Sequence, residues 1–458
     1  MKSPIPDYLQ SVIEKARPND GGAPAGYIDV LARADTSRLA VALAMVDGNI
    51  YSAGDDRIEF SIQSISKAFV YALAIEDAGL PAVLDKIGME PSGDAFNKLS
   101  LQKDSNRPFN PMINAGAITA HSLVVSPGAT ADQRTNRILA ALSRLAGRQL
   151  HVDEEIYEAE LKDANRNMGI GYMLKAASII TCNPAEAVKG YIRQCSINVT
   201  VRDLAMMAGV LCNSGVHPVS GEQMMPTESA RQVLSVMATC GMYDGSGEWL
   251  ATVGFSAKSG VSGAILGALP GQVGIAAFSP NLDERGNSIR SVHICKQLSA
   301  DMGLHLMNSS QVGLSTVQTS VATIVHGAEG DEPHHPNYDR EVIVFHLRGA
   351  VRFAGSERLT RALERELSGQ HTDACAVVLS FRETYSLNAV ARRIIHEDIK
   401  RLLDEGRLVV AIDPSGVLAW EGHTTQTKLA PAVVARESEA RELIGGAGCR
   451  TVSKSEGL

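Results

Sequence analysis

Eight consecutive residues with little polarity, Ala68-Phe-Val-Tyr-Ala-Leu-Ala-Ile75, follow directly on the tetrad Ser64-Ile-Ser-Lys67. A helix apolar on every side has no face to give to water, so it must run through the interior of whatever the chain folds into. Its first turn then carries a hydroxyl and an amine into that interior, on one face, because side chains three residues apart on a helix are neighbours. An amine so placed can take the proton of a serine hydroxyl, and the helix N-terminus favours negative charge on the oxygen. The tetrad is a loose pattern, and Ser100-Leu-Gln-Lys103 repeats it in a stretch that reads as a polar surface turn.

Two later segments make the first one specific. Val253-Gly-Phe-Ser-Ala-Lys258-Ser259-Gly260-Val261-Ser-Gly-Ala-Ile-Leu-Gly reads as a pair of strands with glycines at the bends. Lys-Ser-Gly on a strand is the usual companion of Ser-x-x-Lys in serine acyl-transfer enzymes. Gly260 would let a substrate lie against the strand, whose N–H groups face a tetrahedral oxyanion. Thr239-Cys-Gly-Met-Tyr243-Asp-Gly sets a tyrosine just before a tight turn.

At 458 residues the chain is too long for one ordinary core, so two domains are expected. A net charge of −8 argues against a nucleic-acid or anionic-membrane surface. No apolar run reaches spanning length, and the polar N-terminus does not read as a signal peptide. Seven dispersed cysteines, without Cys-x-x-Cys or histidines at ligand spacing, suit reduced thiols in a cytoplasm and no metal site. Cys195 and Cys240 read as buried packing residues.

Along the chain, Asp7–Ala16 reads as an opening helix. Leu39–Val46 reads as a strand, turned at Asp47-Gly48 into Ile50–Ser52. The stretch from Ser64 to about Leu250 is mostly helical, with periodic runs at Asn136–Ala146, Gly169–Ile180, Ala185–Gln194 and Val201–Ser214. Strands are expected to resume over Trp249–Phe278, and Ser291–Met307 reads as a closing helix. Strands at both ends of a helical middle imply one sheet built from distant segments, an α+β arrangement. Residues 308–339 are rich in Ser, Thr, Gly, Pro and His and read as a linker, although Val321–Val325 has the composition of a short strand. The pair His334-His335 within it reads as solvated linker. Beyond it, strands at Val342–Arg348, Ala374–Ser380 and Leu408–Ile412 alternate with helices at Gly355–Ser368 and Asn388–Glu405, the pattern of a small α/β domain.

Taken together, Ser61-Ile-Gln-Ser64-Ile-Ser-Lys67, Pro108-Phe-Asn-Pro-Met-Ile-Asn114-Ala-Gly-Ala-Ile, Arg166-Asn167, Tyr191-Ile-Arg-Gln-Cys-Ser-Ile, Thr239-Cys-Gly-Met-Tyr243-Asp, Ala257-Lys258-Ser259-Gly260-Val261-Ser-Gly and Gly286-Asn-Ser-Ile-Arg resemble a serine-dependent glutaminase. They stand in that family's order over residues 8–307. The resemblance implies a β-lactamase/transpeptidase-like catalytic domain at 1–307, a helical region beside an antiparallel sheet. It implies hydrolysis of L-glutamine to L-glutamate and ammonia through a serine acyl-enzyme, without a cofactor. Ser64 would be the nucleophile, with Lys67 and Tyr243 moving protons, and the sequence leaves open which of the two acts first. Lys67 must be neutral to serve, about three units below an ordinary lysine, or roughly 4 kcal/mol against the charged form. Burial and repulsion from Lys258 would supply that. The backbone N–H groups of Ser64 and Val261 would hold the oxyanion. Lys258, Ser259 and Gly260 would support the site.

The substrate's ammonium would meet Glu160, with Glu158 as a rival two residues earlier. Asn114, Asn167 and Tyr191 would hold its other polar ends, and Tyr27 would close the N-terminal side. The family also implies a dimer or tetramer. A β-lactamase or penicillin-binding-type acyltransferase would use the same Ser64, Lys67 and Lys258, but the acidic Glu160 favours an amino-acid ammonium. A catalytically silent scaffold is the reading of another class, which the intact Ser-Lys-Tyr set opposes. Residues 340–458 are similar to a STAS domain, a type that mediates regulatory contacts with partners. Where such domains carry a phosphorylatable serine at the start of the second long helix, this chain has Ser386-Leu-Asn388-Ala. Docking or oligomer support is therefore the role expected of it.

Overall fold

The computed structural model describes residues 5–93, 98–307, 317–324, 340–351, 353–368, 371, 374, 376–420 and 430–446. They fall into two compact units, one within residues 1–308 and the other within 309–458. In the first unit the strands are β1 (Ala40–Met45), β2 (Ile50–Gly54), β3 (Phe60–Ser61), β4 (Asn198–Val199), β5 (Ser256–Gly260), β6 (Ala264–Leu269) and β7 (Val273–Phe278). Five of them make an antiparallel sheet in the order β2-β1-β7-β6-β5, while β3 pairs with β4. Strands from both ends of the unit thus meet at β1 and β7.

Side chains alternate between the faces of a strand, and here the two faces differ in size. Ala40, Ala42, Ala44, Ala264, Ala268 and Ala276 turn toward the helical middle, whereas Val41, Leu43, Ile265, Leu269 and Ile275 turn toward the terminal helices Ile5–Ala16 and Ile289–Met302. The small face lets the helix Val201–Cys212 lie almost backbone to backbone on the sheet. A Cβ on Gly274 would stand 2.3 Å from the Gly209 nitrogen and 2.5 Å from the Ala205 carbonyl oxygen. Thr200 starts that helix with a capping box closed by Asp203.

The apolar run does form a central helix, Ser66–Ala78, buried from Ser66 through Ile75. It packs against the helices Asn114–Leu123 and Thr227–Cys240. Ser64 itself lies in the preceding 3₁₀ turn, Gln63–Ile65. Two expectations change. Trp249–Thr252 is the end of a helix, Ser246–Thr252, and the sheet resumes only at Ser256. The Trp249 indole N–H donates to the Phe255 carbonyl at 2.8 Å, and Gly254 at φ +85° turns the chain. The closing helix stops at Met302, because Gly303 takes a left-handed conformation that ends it.

In the second unit, β8 (Val317–Ile324), β9 (Arg340–Val351), β10 (Ala376–Leu387), β11 (Leu408–Ile412) and β12 (Ala432–Val434) form a sheet in the order β12-β11-β10-β9-β8. β9 to β12 are parallel, and β8 runs antiparallel along β9. The segment expected as linker therefore contains a strand, at the place where its β-branched residues cluster. His334-His335 lies outside the described residues. Helices Phe353–Ser368 and Ala389–Asp404 cover one face, and Glu437–Gly446 packs on the other. Asn388 caps the second of these helices, accepting from the Ala391 N–H at 2.8 Å.

Gly274→Ala should force helix Val201–Cys212 off the sheet. The expected cost is about 2 kcal/mol, lowering the thermal midpoint by roughly 4–8 °C. An unchanged midpoint in calorimetry would show that the helix can give way without loss.

Candidate active site

The turn of Ser64 is held between two elements. Upstream, Phe60 in β3 stacks on Phe278 in β7 with ring centroids 4.1 Å apart. On the other side, a Cβ on Gly260 would come within 3.1 Å of the Ile62 carbonyl oxygen and 3.3 Å of an Ile65 methylene. The missing side chain at 260 thus makes room for the turn that carries Ser64, a closer reason for glycine than room for a substrate. Gln63 in that turn has φ +49° and Tyr243 has φ +56°, left-handed conformations uncommon for residues with a Cβ. Strain of this kind gathers where the surrounding structure over-determines a side chain's aim.

Ser64, Lys67, Lys258 and Tyr243 come together. Ser64 is 6% exposed, and its hydroxyl is hydrogen-bonded to the Tyr243 hydroxyl. The Lys67 amine is fully enclosed and donates to Asn114 Oδ1 at 2.7 Å and to the Met112 carbonyl at 3.3 Å. Burial dominates its titration and brings it down to about 8, against the opposing pull of Cys195 and Glu160. Lys258 is also sealed from water. Its amine sits 4.3 Å from the centre of the Tyr243 ring and donates to the Ser259 carbonyl at 2.7 Å. Burial, and then repulsion from Lys67, holds it well below an ordinary lysine. The Tyr243 hydroxyl donates to the same Ser259 carbonyl at 3.4 Å, and burial pushes its pKa up to about 12.

Asn114 is the first residue of helix Asn114–Leu123, not a turn residue. Its Oδ1 accepts from Lys67 and from the Tyr191 hydroxyl at 3.1 Å, while its Nδ2 donates to Asn167 Oδ1 at 2.9 Å. Glu160 is close to the Gln63 amide, whose Nε2 reaches its Oε2 at 3.5 Å. Protein surrounds the Glu160 carboxylate although a path to solvent stays open, as for a group lining a cleft. Desolvation raises it to about 7, against Gln63 and Lys67, which favour its charge. Glu158, the rival, is exposed. Tyr27 stands at the rim, 57% exposed, near enough to Tyr243 and Glu160 for their charges to act on it. Val261 is buried just past the end of β5, in a small cluster with Ala25, Ile28, Leu31 and Ile156 that ties the Tyr27 segment to the strand.

All the residues singled out in the sequence lie in or around this cluster. The Ser259 hydroxyl is buried with no partner among the described residues, so that residue's contribution is its carbonyl. Sequence reasoning missed Gln63, whose adjacency to Ser64 was the available signal, and the Met112 carbonyl, which no side-chain pattern can announce.

The first unit of this mixed α/β chain thus holds a buried Ser-Lys-Tyr cluster between a helical region and the edge of an antiparallel sheet. A family model described as glutaminase matches residues 22–307. The glutaminase of Corynebacterium glutamicum is 44% identical, over 91% of this chain and 95% of its own length. The glutaminase of Trichormus variabilis is 43% identical but pairs 68% of this chain with 92% of itself, so it is a shorter protein. Among solved structures, that of Mglu superposes with a TM-score of 0.78 at 44% identity, covering 91% of this chain and 100% of that one. A probable glutaminase, ybaS, gives 0.63 at 37% identity, over 66% of this chain and 99% of its own. The chain belongs to the glutaminase family.

Lys258→Met should raise stability at neutral pH. A lysine whose folded pKa is depressed costs stability wherever the unfolded chain keeps it charged, and that cost fades as pH rises toward about 10.4. Replacing the amine with a methyl thioether should therefore gain about 1 kcal/mol at pH 7. The gain should shrink by pH 10, as followed by denaturant unfolding. A loss of stability at pH 7 would mean that Lys258 is held charged.

Proposed function

We propose that the protein hydrolyses the side-chain amide of L-glutamine, releasing L-glutamate and ammonia, through an acyl-enzyme on Ser64. The observation that carries the mechanism is the enclosed Lys67 amine in the first turn of the central helix, brought to about 8 just after the 3₁₀ turn that carries Ser64. Half of such an amine is neutral near pH 8, so Lys67 can take the Ser64 proton as the hydroxyl attacks the amide carbon. Tyr243, pushed up to about 12, stays protonated and acts as donor. It passes its proton to the departing nitrogen and recovers the one that Lys67 took from Ser64. Lys258, over the Tyr243 ring, is kept neutral by its own burial and by repulsion from Lys67, whose low midpoint comes from burial alone.

The N–H groups of Ser64 and Val261 hold the tetrahedral oxyanion, where one donor is worth about 2.7–4 kcal/mol. Water then attacks the ester from the same side with the proton flow reversed. Glu160 pairs with the substrate ammonium, and Asn114, Asn167, Tyr191 and Tyr27 take its remaining polar groups. A β-lactam would give Glu160 nothing to pair with. The family membership and a solved relative, Mglu, described in its glutamate form with a TM-score of 0.79, support the substrate class.

The second unit is read as a STAS-like module for docking or for assembly into a homo-oligomer. Its alternating strands and helices support this, as does the family model's match, which ends at residue 307. Asn388, at the position where a phospho-switch would need a hydroxyl, serves as a helix cap. Five free thiols, Cys182, Cys195, Cys212, Cys240 and Cys295, fit a cytoplasmic protein.

Ammonia release from L-glutamine and L-asparagine tests the reading. Glutamine-selective release lost at least about a thousandfold in Ser64→Ala is expected, and activity surviving that substitution would sink the acyl-enzyme. The pH profile is a second test. Both Glu160, at about 7, and Lys67, at about 8, must lose a proton for kcat/KM to rise. Log kcat/KM should climb with slope near 2 below pH 7 and near 1 up to about pH 8. Glu160→Gln should reduce the slope to 1 and move the remaining limb to lower pH, because the carboxylate that favoured charged Lys67 is gone.

A further inference from the structure

Behind the site lies a line of buried polar side chains that the reaction does not touch. His121, Gln194 and Ser66 are 0% exposed and Cys195 is 1% exposed. His121 Nδ1 is 2.8 Å from Gln194 Oε1, and Gln194 Nε2 donates to Ser66 Oγ at 3.3 Å. Ser66 Oγ meets Cys195 Sγ at 3.9 Å, and the same thiol is hydrogen-bonded to the Tyr191 hydroxyl. Tyr191 donates to Asn114 Oδ1, the atom that also accepts from Lys67.

The direction of every link follows from the Lys67 end. With its lone pair, when neutral, turned to Ser64, the amine has only N–H donors to offer this neighbour, so the oxygen of the Asn114 amide faces it. The Tyr191 hydroxyl must then donate to that oxygen as well, which leaves its own oxygen to accept from the Cys195 thiol. The thiol sulfur in turn accepts from Ser66, Ser66 Oγ from the Gln194 amide, and Gln194 Oε1 from a protonated His121 Nδ1. The far end agrees: His121 Nε2 is buried with no partner among the described residues, as a nitrogen without a proton can be. Burial holds the ring neutral, with a pKa brought down to about 4. The chain is polar in one sense from end to end, and reversing the Asn114 amide would set its N–H₂ group against the Lys67 donors.

We propose that His121, Gln194, Ser66 and Cys195 are positioning residues that lock the Asn114 amide with its oxygen toward Lys67. The inference rests on the reading of Lys67 as the general base. With the lock broken, the Asn114 amide can rotate, and Lys67 loses an acceptor that favours its charged form. Its midpoint then falls. The titratable groups facing Lys67 are Tyr191 and Cys195 from helix Pro184–Cys195, Glu160 from helix Glu154–Lys162, and Lys258 from β5, with Tyr243 beside Ser64. None of these other than Cys195 is altered by the test.

The test is a titration of the full-length protein labelled with ¹³C at lysine Cε, the Lys67 signal being assigned with Lys67→Arg. Cys195→Ala should lower the Lys67 midpoint by about half a pH unit or more, and Cys195→Ser, which can still accept and donate, should recover most of the shift. Loss of packing alone would lower the melting temperature in both variants and leave the midpoint in place. An unmoved midpoint in Cys195→Ala, or equal shifts in the alanine and serine variants, overturns the proposal. Should Cys195→Ala fail to fold, Ser66→Ala cuts the same chain one link away and must shift the midpoint in the same direction, or the proposal falls. Ammonia release measured on the same samples separates the two readings. A wild-type protein inert on glutamine removes the proposed function, while the midpoints still decide whether the chain orients Asn114.

Discussion

Two amines buried side by side, Lys67 and Lys258, are the constraint around which the first unit is organised. Each is sealed from water, and the carboxylate that acts on Lys67 is Glu160, itself raised to about 7 by its own desolvation. An isolated ammonium in such a place costs several kcal/mol, so proteins neutralise the group or surround it with acceptors. Both devices are present. Carbonyl oxygens of Met112, Asn114 and Ser259 accept from the amines, the Tyr243 ring lies under Lys258, and burial shifts both groups toward the neutral form, with repulsion from Lys67 added at Lys258. A base usable near neutral pH is the chemical consequence of that burial.

Keeping the amines dry requires close packing of backbone on backbone, which explains the distribution of small residues. Gly274 and Gly209 let a helix touch the sheet, and Gly260 lets β5 touch the turn of Ser64. Gly241 is tighter still, since a Cβ there would lie 1.7 Å from the Ala257 carbonyl oxygen. Its contact sets the Tyr243 turn against the strand that carries Lys258. The strain at Gln63 and Tyr243 is borne by the same contacts, and a stiff, close-packed surround is what such backbone conformations need to persist.

Much of this was legible in the chain. The run from Ala68 to Ile75 announces a buried helix because no polar residue interrupts it. The apolar run Leu39–Val46, turned at Asp47-Gly48, and the glycine-punctuated segment around Lys258 announce strands. Punctuation was harder to read. Trp249 and Leu250 look like strand residues, and only the indole contact with Phe255 and the turn at Gly254 place them in a helix. Gly303, inside an otherwise helical pattern, ends the helix early. In the second unit, Val317–Ile324 reads as polar linker at its start and becomes a strand by pairing with β9, a decision made by its partner.

The sequence by itself determined which side chains are available and on which element each sits, because periodicity and glycine placement are local properties of the backbone. It also determined that Ser64 and Lys67 lie about one turn apart at the start of a buried helix, Ser64 falling in the 3₁₀ turn that leads into it. Tertiary structure alone decided their chemistry. Whether Lys67 is an ordinary surface amine or a base near pH 8 depends on how many protein atoms exclude water from it. It depends as well on residues up to about 190 positions away, among them Asn114, Cys195 and Lys258. Desolvation and hydrogen-bond direction are properties of a packed volume, and no spacing along a chain encodes them.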